Sequence, residues 1–218
     1  MKKTQNNLLV TPAPHLYHKD SVSKIMWIVF ISLVPAWAWG VFYFGFAALY
    51  VSLAAILSCL ITEVIFNLLR KGPITLSDGS AAVTGLLLAF TLPPYIPLYI
   101  PIVGGIFAIG VVKQLFGGLG YNVLNPALAS RVFIMFAWIG PMTASSSFLP
   151  KIQESFFFQN FITSQTVDVI SSATPLNMMK TMLEGKAVAL PTQNELLLGL
   201  TGGSMGEISA LLIILGAL

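Results

Sequence analysis

Charge is what this chain has least of. Of its 218 residues, 9% are Asp, Glu, Lys or Arg, against 56% apolar residues. A soluble domain carries about 25% charged residues. So thin a polar surface excludes an ordinary soluble globule and makes an integral membrane protein the default class. Cysteine is nearly absent too. Cys59 stands alone, so an internal disulfide is excluded and the redox compartment is left open. A cleavable signal peptide is missing, because the first 24 residues are polar and the first apolar run is too long for a signal core. The net charge of +3 does not indicate nucleic acid. The basic residues sit at the ends of apolar runs, where they orient a membrane protein.

What is there is a series of apolar runs, read as an all-α, polytopic transmembrane protein of about five spans plus the start of a sixth. Residues 1–24 form a cytoplasmic arm, and residues 25–142 hold spans one to five. Ile25 to Phe44 has about the 20 residues that cross a bilayer, with a kink expected at Pro35. A tight turn is expected at Gly45, then a second span from Phe46 to Leu69. The third, Ser80 to Leu92, is short, and reads as a short or broken helix whose Asp78 and Ser80 end lies in a polar cavity. Tyr95 to Phe116 and Leu124 to Met142 give the fourth and fifth. Residues 143–203 are a long polar segment. Residues 204–218 are too short to cross alone, so the expectation is that the natural protein continues past Leu218.

Orientation follows from the basic residues. With the N-terminus in the cytoplasm, eight of the eleven Lys and Arg lie on that side, Lys113 and Arg131 among them. The 143–203 segment, with net charge −1, faces outward. Cytoplasmic loops carry the excess of Lys and Arg.

That outward segment contains "DVISSATPL". Asp168, Ser171, Ala173 and Thr174 spell D-x-x-S-x-A-T, which is similar to the flavinylation motif read by the flavin transferase ApbE. Small neighbours, Ser172 and Ala173, admit a bulky nucleotide, and Pro175 keeps Thr174 extended. The motif alone also reads as a Ser/Thr-rich turn. Its setting adds weight. "PAPHLYHKDSVSKIMW", "TGLLLAFTLPP", "GGLGYNVLNPALASRVF", "SSATPL" and "GGSMGEISALLIILG" resemble the RnfD/NqrB family. Its two branches are the RnfD component of the Rnf electron-transport complex and the NqrB component of the sodium-pumping NADH:quinone reductase. The resemblance runs from about Pro12 to Leu218, and the short N-terminal arm favours the Rnf branch.

The resemblance implies ten helices arranged as inverted repeats, in a bacterial inner membrane. It implies an electron-carrying component of a ferredoxin:NAD oxidoreductase that moves sodium ions or protons. FMN would be joined as a phosphoester to Thr174 on the outer face. The partners implied are the A, B, C, E and G components of the Rnf complex, with ApbE for maturation and lipid around the spans. No catalytic acid or base is implied.

Other residues carry weaker signals. Glu63 is a carboxylate inside the second span, which marks an ion path by default, or else is a neutral or hydrogen-bonded side chain near the cytoplasmic end, two turns from Arg70. Asp78 and Glu207 read as helix caps before ion ligands. Gly118, Asn122 and Asn125 read as helix capping and packing, or as a pocket for a second, noncovalent flavin, riboflavin. His15 and His18 lack further ligands, so no metal site is expected. Trp37, Trp39, Phe42, Tyr43 and Phe44 read as an interfacial belt. Phe156, Phe157 and Phe158 read as an interface or partner contact. A transporter or channel is the rival reading, since broken helices build those too, and a scaffold component is a third. Neither has a use for covalent flavin.

Overall fold

Gly45 sets the first corner. Its φ of 79° lies where only glycine sits without strain. It closes α1 (Val22–Phe44) by donating its N–H to Val41 at 2.8 Å and opens α2 (Phe46–Leu69). This is a computed structural model. It describes residues 20–71, 75–144, 203–206 and 209–217, with Met179, Met182 and Leu183. The ends of α2 fall where the apolar run predicts. α1 begins earlier than expected, because the Ser21 hydroxyl accepts the Lys24 N–H at 3.2 Å and caps the helix there. It passes through Pro35 as one helix.

At about 1.5 Å per residue, α1 and α2 are the two described helices long and apolar enough to cross a bilayer. The others are shorter. They are α3 (Ser80–Thr91), α4 (Tyr99–Ile106, continued by a π-helical stretch Phe107–Gln114), α5 (Pro126–Ala137), α6 (Ile139–Thr143) and α7 (Ala210–Ala217). A 3-10 turn, Leu76–Asp78, precedes α3. All these elements are helical, as expected. Two expected spans are shorter than their apolar runs. The fourth starts at Tyr99 rather than Tyr95, after a turn that contains Pro93, Pro94 and Pro97. The fifth breaks at Trp138, whose φ of −133° and ψ of 59° leave the helical region.

Contacts fix the topology. α2 runs antiparallel to α1, with Trp37 Nε1 donating to Ser52 Oγ at 2.9 Å. It runs antiparallel to α3, with Ile56 against Gly85, and parallel to α4, with Ser58 against Gly105 and Phe66 against Gly110. α5 returns along α4, its Ser130 donating to Gly104 O at 2.6 Å. One end of the bundle therefore holds Phe44, Tyr95, Tyr99 and Trp138. Tyr95 donates to Phe44 O at 2.7 Å, and Tyr99 meets Trp138 edge to face. Gly206 joins this end through its N–H to Phe90 O at 2.9 Å. The opposite end holds Ser23 and Trp27, both bonded to Ser77 O, and Arg70 beside Gln114.

α2 is apolar outside and polar inside. Leu53, Leu57, Ile61, Ile65 and Leu68 form an exposed stripe, while Ser52, Ser58, Thr62, Glu63 and Asn67 are buried. This suits a helix whose outer face meets lipid and whose inner face meets other helices. The aromatic belt needs correcting. Tyr43 and Phe44 are buried in the core and only Phe42 is well exposed. The turn at Gly45 folds both rings under the loop that carries Tyr95.

Candidate functional site

Glu63 has no exposed surface. A carboxylate removed from water needs its charge compensated and its oxygens hydrogen-bonded. Lys113 supplies the charge, with Nζ 2.5 Å from Glu63 Oε1 and its side chain 4% exposed. Thr75 Oγ1 donates to the same oxygen at 3.1 Å, and Asn67 Nδ2 donates to Thr75 Oγ1 at 3.0 Å. Glu63 Oε2 has no partner among the described residues. Lys113 Nζ also donates to Ser80 Oγ at 2.5 Å. Ser80 in turn donates its hydroxyl to Asp78 Oδ1 at 2.7 Å and its backbone N–H to the same oxygen at 2.8 Å. Glu63 is thus hydrogen-bonded, with Lys113 as its ion-pair partner.

Local sequence explains how these groups meet. α2 carries Glu63 and Asn67 one turn apart, on its buried face. Gly79, at φ 74°, is the N-cap of α3, and Asp78 just before it accepts the Ser80 N–H at the helix start. Lys113 lies in the π-helical stretch, where Leu115 N–H reaches back to Gly110 O at 3.2 Å. Such wide turns recur at functional sites. Arg70 donates to the Gln114 backbone oxygen and holds the end of that stretch to α2.

A cavity of about 350 Å³ lies against this cluster, lined by Ser80, Val83, Leu87, Lys113, Asn122 and Asn125, among others. Two of the three candidate pocket residues therefore share one space. Gly118 does not line it. Gly118 instead has φ 97° and donates to Lys113 O at 3.0 Å, ending the π-helical stretch. Asn125 Oδ1 accepts the N–H groups of Ala127 and Leu128 at 3.0 and 3.5 Å, with Pro126 in the first turn, so it caps α5. Asn122 Nδ2 donates to Leu124 O at 3.0 Å. Met26, Val83 and Leu87 give this space apolar walls, and Ser80, Lys113, Asn122 and Asn125 add polar atoms. A lining of that kind, in a space of about 350 Å³, fits a flat heteroaromatic ring such as a flavin.

A second cavity, of about 360 Å³, is lined by Leu87, Phe90, Thr91, Arg131, Ser204 and Gly206, among others. Arg131 is half-buried, and its Nε has no partner among the described residues. Arg131 and Lys113 were expected near a cytoplasmic loop. Lys113 is buried next to Gln114, at the end of the bundle that holds Arg70, and Arg131 is half-buried in α5. Lys113 is the residue that sequence reasoning missed. The signal was present, since an intramembrane Glu63 demands a cation.

Asp168, Ser171, Ser172, Ala173 and Thr174 lie outside the described residues, as do His15, His18, Glu207 and Phe156, Phe157 and Phe158.

Comparison with known proteins decides the family. Residues 9–218 match the NQR2, RnfD, RnfE family. The chain belongs to this family. Among its relatives is the D component of the Na(+)-translocating ferredoxin:NAD(+) oxidoreductase complex of Acetobacterium woodii. It is 42% identical over 214 residues, covering 97% of this chain and 61% of the relative. The D component of the proton-translocating ferredoxin:NAD(+) oxidoreductase complex of Clostridium ljungdahlii is 38% identical, covering 98% and 62%. The D component of the ion-translocating oxidoreductase complex of Stutzerimonas stutzeri is 38% identical, covering 92% and 60%. The chain thus spans about three-fifths of the length of these curated relatives. Membership makes it a membrane protein, in keeping with the length and apolar composition of α1 and α2.

Proposed function

We propose that the chain acts within the RnfD component of an Rnf-type complex. It would be a membrane electron carrier between ferredoxin-linked and NAD-linked partners, coupled to movement of sodium ions or protons. The observation that carries this reading is the D-x-x-S-x-A-T motif at Asp168–Thr174, in a chain 42% identical to the Acetobacterium woodii relative. Thr174 Oγ would hold FMN as a phosphoester on the outer face, after modification by ApbE. The cavity beside Asn122 and Asn125 would take the second flavin, riboflavin, without a covalent bond. A bound flavin supplies exchange of one or two electrons. The protein's own share is to position the ring and keep water away. Asn122 and Asn125 would hold its polar atoms, and Val83 and Leu87 of α3 would give it apolar contact. Glu63 would lie on the ion's route. Relatives are named for sodium and for protons alike, so both ions belong in the test.

The test uses the full-length RnfD-type protein, expressed with the other Rnf components and ApbE in a host lacking its own complex. Membranes should gain ferredoxin-dependent reduction of NAD and lose it when Thr174 is replaced by Ala. Equal activity in both preparations would sink the electron-carrier reading. Solute flux without any bound flavin would put a transporter in its place.

A further inference from the structure

We propose that Lys113 is a tethered counter-cation. Its ammonium occupies a binding site for a small monovalent cation, formed by Glu63, Thr75 and Ser80, and leaves that site when the free cation binds. The inference rests on the reading of Glu63 as an ion-path residue.

Three observations point to exchange rather than a fixed strut. First, the site is half used. Glu63 Oε1 takes both Lys113 and Thr75, while Oε2, equally buried, has no partner among the described residues. A structural ion pair in a dry interior gains by satisfying both oxygens. A bare cation bridged by the carboxylate would use both. Second, the ammonium sits among hard oxygen ligands. Glu63 Oε1 and Ser80 Oγ, each 2.5 Å from it, are the kind of oxygen atoms that a hard cation takes as ligands. Asp78 accepts the Ser80 proton, which turns a lone pair of that hydroxyl toward the cation. Third, Lys113 and Ser80 line the 350 Å³ cavity, and Glu63 does not. The Lys113 head group therefore stands between the cavity and the carboxylate. Its long stem, on a π-helical stretch ended by Gly117 and Gly118 at positive φ, can swing from Glu63 past Ser80 toward Asp78 as the cation enters.

Glu63 carries one negative charge, answered by the ammonium before exchange and by the incoming cation after it. The displaced ammonium passes to Asp78, whose carboxylate lies one hydrogen bond beyond Ser80, so two carboxylates answer two cations. The charged or titratable groups around Glu63 are Lys113 from the π-helical continuation of α4, Asp78 from the turn before α3, and Arg70 and Cys59 from α2 and its end.

The purified complex with its full-length RnfD-type component would be treated with dicyclohexylcarbodiimide and labelling of Glu63 read by peptide mass spectrometry. One set of samples varies sodium, lithium or potassium chloride against choline chloride at fixed pH. A second varies pH in choline chloride. Alkali ions or protons should change the labelling of Glu63, and whichever set does so identifies the cation. Lys113→Met should lower the half-effective cation concentration on the order of tenfold, within the usual span of coupling between linked sites. Ser80→Ala should raise it. Labelling that ignores both cation and pH, or an unchanged half-effective concentration in Lys113→Met, overturns the proposal. If Lys113→Met does not assemble, Ser80→Ala decides: an upward shift supports exchange, and no shift overturns it. The readout needs no electron transfer, so failure of the wider functional reading is distinguished by its own assay of NAD reduction.

Discussion

A carboxylate without exposure must have its charge answered, and Lys113 answers that of Glu63 at 2.5 Å. Removing one member of a buried pair strands the other, at about 3–5 kcal/mol, whereas replacing both with apolar groups is often neutral. Glu63→Gln and Lys113→Met should therefore each lower the denaturation midpoint of the detergent-solubilised protein. Glu63→Leu with Lys113→Met should recover most of the loss. Additive losses in the double variant would show that the two do not act as a pair. Glu63→Gln should also lower ion uptake driven by electron transfer in vesicles, and unchanged uptake would remove Glu63 from the ion's route. At this scale, the groups that act on neighbours in sequence were legible. Asn125 caps α5, and Asp78 accepts the Ser80 N–H at the start of α3, as short polar side chains before apolar runs should. Glu63 signalled the need for a cation, but not that Lys113 supplies it, because that partner lies 50 residues away. At the end of an apolar run it looks like any loop-flanking lysine.

Close approach of elements depends on small residues. A Cβ placed on Gly85 would lie 2.6 Å from Ile56 Cα, which is backbone and cannot rotate away. A Cβ on Gly140 would meet nothing within 4 Å. Gly85→Ala should therefore cost the fold roughly 1–3 kcal/mol through overpacking, and Gly140→Ala should do little. Thermal unfolding in detergent measures both, and equal midpoints would contradict the packing of α2 on α3. The limits of α2 and the shortness of α3 were readable from hydropathy together with Gly45 and the Pro93-Pro94 pair. The true limits of α4 and α5 were not. Apolar residues continue past both helices as buried turns and as α6, and hydropathy cannot separate a buried turn from a helix. The π-helical stretch left no sequence signature.

For the whole molecule, the contacts place Phe44, Trp138 and Gly206 at one end and Ser23, Ser77 and Arg70 at the other. Ala144 and Gly203, which bound the segment carrying Thr174, adjoin the first end. Even without Lys113 and Arg131, the basic residues Lys2, Lys3, Lys19, Lys24, Arg70 and Lys71 outnumber the three lysines of that segment. The N-terminus is therefore expected in the cytoplasm. Single cysteines at Lys71 and Ser164, in a Cys59→Ser background, test this with an impermeant maleimide on whole cells. Ser164→Cys should label and Lys71→Cys should not. The opposite pattern would invert the topology. Cys59 is buried, so its replacement removes no external reporter.

The central claim, a flavin-bearing electron carrier, meets its most direct test in intact mass. The full-length RnfD-type protein co-expressed with ApbE should gain the mass of one FMN less water. Thr174→Ala should gain nothing, because it removes the oxygen that carries the phosphoester. Ser172→Ala, at an open position of the motif, should be modified nearly as well as the unmutated chain. A Thr174→Ala protein that still carries denaturation-resistant flavin, or an unmutated protein that never acquires any, would contradict the account.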